Sequence, residues 1–165
     1  MDHFPRIPAA VLFVMALLSS ALSAEPKDDF QDQYVKKRIV ILLSSKDYKQ
    51  AERFARRVAA KSEVKLDLRD LKPNQSIGLT FPKQHCADGG FDYPCYIARG
   101  RYDDGEYISV EHSSAFEGFR PGYYIVVGAS YENGKPEVKR SLAKFKRFAS
   151  DAYAKLSKVY VGCIH

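Results

Sequence analysis

His85 and Cys86 stand side by side in "KQHC", Cys95 follows after "ADGGFDYP", and His112 precedes Ser113 and Ser114. A thiol beside an imidazole is the raw material of a nucleophile, and two Cys with two His can hold zinc. Neither chemistry fits well. The ligand spacing matches no recognised zinc motif, and a thiol with a disulfide partner nearby cannot act as a free thiolate. Ser113 and Ser114 lack the strained Gly-x-Ser-x-Gly elbow of a serine nucleophile. Asp103, Asp104 and Glu106 in "DDGE" lack the ligand series of a calcium loop, and no glycine-rich phosphate cradle is present. The expectation is a protein without catalytic residues, metal or cofactor.

The same cysteines support a structural reading. The first residues, with Arg6, an apolar run over 9–18 and the small residues of "SSALSAEP", have the layout of a secretory signal. The run is too short to span a bilayer, so no stable membrane insertion of the mature chain is expected. Cleavage is placed after Ala24, with Ala21 and Ser23 as alternatives. After export, Cys86 and Cys95 bracket a Gly- and Pro-containing stretch that lets the chain double back, and they are expected to form a disulfide. Cys163 is then left over, or pairs with one of these two in place of the other, or with another chain. The net charge is +6. An exported basic protein favours anionic surroundings, and nucleic acid is not an expected partner because no basic tract is continuous.

The elements that position these side chains are read from periodicity. Residues 25–33 form a polar leader with one Pro, expected to be disordered, and 34–165 a single α+β domain. "KRIVILL" (37–43) and 123–127 are continuous apolar runs suited to strands buried on both faces. After the first, Ser44 and Ser45 offer N-cap hydroxyls, and Tyr48, Ala51, Phe54, Ala55 and Val58 recur at helical spacing. Val64, Leu66 and Leu68 alternate with charges and predict a half-exposed strand. After the second run, Asn133-Gly134 marks a turn, Pro136 suits the first helical position, and Val138, Leu142, Phe145, Phe148 and Ala152 make the next stripe. "KVYVGCI" closes the order as a strand. Between the two units, about 72–121 is an insertion. In it, "CYIARGRY" and "EYISVE" flank an Asp-Gly, which predicts a β-hairpin. Two βαβ units predict a ferredoxin-like, split βαβ sandwich with both helices on one face of an antiparallel sheet.

"YYIVVGASYENGKPEVKRSLAKFK", with "RIVILLSSKDYKQAERFARRV" as its counterpart and "SDAYAKLSKVYVG" as a last strand, resembles the SPOR (sporulation-related repeat) domain over residues 35–70 and 122–162. In the first half, Leu43-Ser44-Ser45 stands where that family has Gly-Ser-Phe. The resemblance implies a βαββαβ fold and a non-catalytic role in the periplasm, binding peptidoglycan glycan strands stripped of stem peptides. It places the sugar on the sheet face away from the helices, where hydroxyls and rings would line it. Ser44, Ser45, Tyr124, Ser130 and Tyr131 are the residues expected there, joined from the hairpin by Tyr96, Arg99, Arg101, Tyr102, Tyr107 and His112. Ser45 and Ser130 also read simply as helix caps, and Tyr124 as core.

A different class of function suits the same residues. A small periplasmic immunity or inhibitor protein needs a rigid scaffold and a projecting loop, which the disulfide loop and hairpin from Cys86 to Glu111 would supply. An exported toxin or hydrolase with an acidic cleft would meet Arg99 and Arg101 favourably.

Overall fold

The two apolar runs become the two central strands of one sheet. A computed structural model describes residues 33–162; the expected signal segment, all but the last residue of the leader, and Cys163 lie outside them. In chain order the elements are β1 (Tyr34–Ser45), α1 (Tyr48–Ser62), β2 (Lys72–Asn74), β3 (Gly78–Thr80), α2 (Lys83–Asp88), β4 (Gly105–His112), β5 (Tyr124–Glu132), α3 (Glu137–Lys146) and β6 (Tyr153–Tyr160). The main sheet has the order β4-β5-β1-β6 with every neighbouring pair antiparallel, while β2 and β3 form a separate two-stranded ribbon. The architecture is α+β, and its strand order is compatible with a ferredoxin-like arrangement.

α1 buries Ala51, Ala55, Val58 and Ala59. Its small, helix-favouring residues let it approach the sheet closely. It is capped by Asp47, whose carboxylate accepts the Lys49 N–H at 2.8 Å, and not by a serine; Ser45 Oγ instead accepts the Asp47 N–H at 2.9 Å. α3 begins one residue after Pro136 and lays Phe145, wholly buried, on β5. Gly128 makes that contact possible, because a Cβ there would stand 2.7 Å from the Phe145 ring. The glycine of "VVGAS" therefore has a packing reason of its own.

Both helices pack on one face. Val40 and Leu42 of β1, Val126 and Ala129 of β5, and Ile108 and Val110 of β4 meet the helical stripes in the larger core. A fully buried aliphatic side chain of this kind contributes about 1.5–3 kcal/mol. The opposite face is not open. Ile39, Ile41, Ile125, Val127 and Val159 are buried there under Phe116, with Phe119, Ala98 and Ala115 packed around them. The middle of the chain folds back over the sheet.

Three expectations are corrected. Residues 64–68 do not form a strand of the sheet; Leu66 makes a single parallel bridge to Ile108, with the Ile108 N–H donating to Lys65 O and the Asp67 N–H to Ile108 O, both at 2.8 Å. The strand following α1 in the sheet is β4, contributed by the insertion. The hairpin around Asp-Gly is absent as well: β4 exists, but it pairs with β5, and residues 95–102 run as loop. The closing strand begins at Tyr153, well before Lys158. The disulfide between Cys86 and Cys95 forms as expected and anchors α2 to the loop, inside a small core with Leu71, Leu79 and Phe81.

Candidate functional site

β4 alternates two chemistries. Ile108 and Val110 point to the helices, while Tyr107, Ser109 and Glu111 point to the other face, as the period of two requires. There they meet the loop 95–103, which lies over them. Arg99 is wholly buried and donates to Tyr107 O at 2.7 Å, Gly105 O at 3.0 Å, Val127 O at 3.1 Å and Ser109 Oγ at 3.2 Å. Its guanidinium also lies 3.4 Å from the centre of the Tyr107 ring. Burial pulls Arg99 below the ordinary arginine value. A buried guanidinium is tolerated only when carbonyls, rings and a nearby anion replace its water.

The anions are Asp103 and Glu111. Asp103 accepts the Tyr107 hydroxyl at 2.6 Å and the Gly100 N–H at 2.7 Å. Burial works to raise its carboxyl, and these hydrogen bonds outweigh that and hold it below the usual range. Glu111, also wholly buried, accepts Arg69 at 2.9 Å and the Tyr96 hydroxyl at 2.7 Å on one oxygen. Arg69 donates its other arm to Ile97 O at 3.0 Å. Burial and the neighbouring Glu111 charge push the Tyr96 hydroxyl well above its ordinary value. Two guanidinium groups and two carboxylates thus balance one another beneath a loop. Arg99 Nε, Arg101 Nε and Glu111 Oε1 are buried atoms of this region without a hydrogen-bond partner.

Beside the network is a groove of about 390 Å³ lined by Phe91 of the disulfide loop, Tyr102, Arg69, Arg101 and Asp103. Tyr102 is 78% exposed and Tyr93, on the disulfide loop, 50%. The Arg101 guanidinium lies 5.0 Å from the Tyr102 ring centre and also donates to Gly162 O. The groove therefore shows solvent a cation and aromatic rings on a base held rigid by the disulfide and the buried network.

Of the residues expected to bind, the fold brings together Tyr96, Arg99, Arg101, Tyr102 and Tyr107. Arg99 points inward and cannot meet a partner; its part is to hold the loop. His112 is turned to the helix side, edge-on to Tyr124 at 5.4 Å. Ser44 is exposed, and Ser45, buried, serves the entry to α1 through Gln50. Tyr124 bonds Gly78 O, Tyr131 meets Ser141, and Ser130 is buried near Asp104; these are scattered through the fold and form no common surface. Periodicity did not single out Arg69, Asp103 and Glu111 as site residues. A charged residue at alternate positions reads as the solvent side of a strand, and only a second layer of chain turns that side inward.

The chain matches no protein-family model, no curated protein and no solved structure.

Proposed function

We propose that this is an exported, non-catalytic binding protein that recognises an acidic protein partner through the groove beside its disulfide loop, as an immunity or inhibitor protein does. The observation that carries this reading is the coverage of the sheet. The face on which a SPOR-like glycan site would lie is filled by Phe116, Phe119 and the Arg99 network, while Arg101 and the most exposed tyrosine, Tyr102, stand together at the groove. Tyr and Arg on a pre-ordered surface are the usual centres of protein recognition, because little freedom remains to be lost on docking. The Cys86–Cys95 disulfide accords with export, and the strand order accords with a split βαβ scaffold carrying a loop-rich insertion.

The test is capture from the periplasm of the producing cell, followed by titration of the partner recovered. Arg101→Glu and Tyr102→Ala should each weaken the complex by about tenfold or more, and added salt should weaken it further. Lys49→Glu, on the exposed side of α1, should leave affinity unchanged. Retention on peptidoglycan sacculi, abolished by Tyr102→Ala and unaccompanied by any protein partner, would overturn this reading in favour of the glycan one.

A further inference from the structure

β6 is the outer strand of the main sheet. Among the described residues, its one strand neighbour is β1. The direction of its free hydrogen-bonding groups follows from the ladder. The Val161 N–H donates to Gln33 O, one step beyond the pair Tyr34–Tyr160. In an antiparallel pair such exchange falls on alternate residues. Residues 153, 155, 157 and 159 therefore turn their main-chain groups toward β1, and Ala154, Leu156 and Lys158 turn theirs outward.

What surrounds this edge is not neutral. Leu156 is 39% exposed, unusual for a leucine at a strand edge. Ala154 lies beside a hollow of about 420 Å³ whose walls include Val138 and Leu142 of α3, with Arg38, Lys135 and Lys139 at its rim. Lys155 lies over the Phe119 ring, and Lys158 reaches Glu117 at 3.3 Å in an exposed pair that another carboxylate can replace. Among the described residues no strand lies on the outer side of this ladder, and of its three outward carbonyls that of Lys158 alone accepts a side chain, the Ser157 hydroxyl at 3.2 Å. Such a ladder, an apolar hollow beside it and a cationic border together describe a site for an extended chain.

From this we infer that β6 accepts an added strand: an extended segment of a partner protein in which apolar residues alternate with Asp or Glu. The added main chain pairs with Ala154, Leu156 and Lys158. Its apolar residues lie beside Ala154 and Leu156 on the helix side, and its carboxylates, on the opposite face, meet Lys155 and Lys158. A second copy of this chain is the poorer occupant, because it brings an equally basic edge of a molecule with net charge +6. Ala154, Leu156 and Lys158 lie outside the lining of the disulfide-loop groove, whose Tyr102 and Arg101 donate beyond the end of β6, to Val161 O and Gly162 O.

The probe is an acetylated synthetic peptide alternating valine and glutamate, added to ¹⁵N-labelled mature protein at low salt. Amide exchange at Ala154, Leu156 and Lys158 should slow on addition, with that of Ser157 already slow and unchanged. The matching valine–lysine peptide should not bind. Leu156→Pro removes an outward N–H that β1 does not use, so the sheet should remain folded, with Ser157 still protected, while peptide affinity falls by about five- to tenfold. Leu156→Ala keeps that N–H and should lose less. Lys155→Glu with Lys158→Glu should reverse the preference to the lysine peptide. Equal binding of both peptides, protection spread over 153–160 without alternation, or concentration-dependent dimers formed through β6 would each overturn the inference, as would unchanged affinity in Leu156→Pro.

Discussion

The two faces of the sheet are closed by opposite means. On one, α1 and α3 cover aliphatic residues with aliphatic and aromatic ones, and stability comes from apolar area and close fit. On the other, a long irregular stretch covers Ile39, Ile41, Ile125 and Val127 at one end and a balanced set of charges at the other. Irregular chain carries main-chain groups that a helix would satisfy by itself, so burying it needs side chains that reach them. Arg69 does this for Ile97 of the loop, and Arg99 does the same for Gly105, Tyr107 and Val127, where the β4–β5 register shifts. The polar face is thus the condition for having a loop-built surface at all. The helical face carries cations and rings as well, Arg57 lying 5.0 Å from the Phe54 ring centre, but on helices that satisfy their own main chain.

The largest effect should come from breaking the polar face at its centre. Arg99→Ala leaves carbonyls unsatisfied and Glu111 and Asp103 short of a nearby cation, and should cost about 3–5 kcal/mol in urea unfolding. Arg99→Lys should recover only part of this, since one ammonium cannot span the same acceptors. A loss below about 1 kcal/mol for Arg99→Ala would mean that the loop is held by its apolar contacts alone.

Next is the disulfide. Cys86→Ser with Cys95→Ser should lower stability by about 2–3 kcal/mol, the chain-entropy expectation for so short a loop. The comparison predicts more than a stability loss: Phe91 should leave the groove wall, and partner affinity should fall even where the protein remains folded. On the helical face the matching experiment is Gly128→Ala, which forces a Cβ against Phe145 and should cost about 1–3 kcal/mol by overpacking. It should leave the groove, and hence partner affinity, unaltered.

The helical face is also the one that could be read in the sequence. The stripe through Ala51, Ala55 and Val58 and that through Leu142 and Phe145 each follow one period, and the runs before them are long enough to mark buried strands. The disulfide was legible because a short Gly- and Pro-containing stretch separates its cysteines. The loop face was not. Asp103-Asp104-Gly105 carries the local signal of a hairpin, and Gly105 does have a positive φ of 121°. Yet Asp103 folds back onto Gly100 and Tyr107, and Arg99 dives under the loop, so the strand preceding the turn never forms. Similarly, Leu66 and Leu68 alternate correctly but reach the edge of β4 for one bridge only. In both places a long-range contact overrides a correct local preference. The groove could not be foreseen from residue types, because its base consists of charges that pattern reading assigns to solvent.

The smallest expected effect tests the seam between the two regions. His112 ends β4, packs edge-on to Tyr124, and has its N–H bonded to the Tyr96 hydroxyl of the polar network. Gly78 of β3 lies so close that a Cβ there would strike the imidazole. Burial lowers the His112 value below the ordinary 6.5. Since the unfolded chain binds the proton more tightly than the folded one, stability is complete above about pH 6.5 and declines as the pH falls from there to the lowered folded value. Asp67 and Asp103 are shifted the same way from 3.8, so their losses begin only as the pH falls through that more acid value. Urea midpoints measured between pH 7.5 and 5 should therefore drift downward in the native protein and stay flat in His112→Gln. If the drift persists in the variant, another group is responsible, and His112 is no more than a spacer between the β2–β3 ribbon and the sheet.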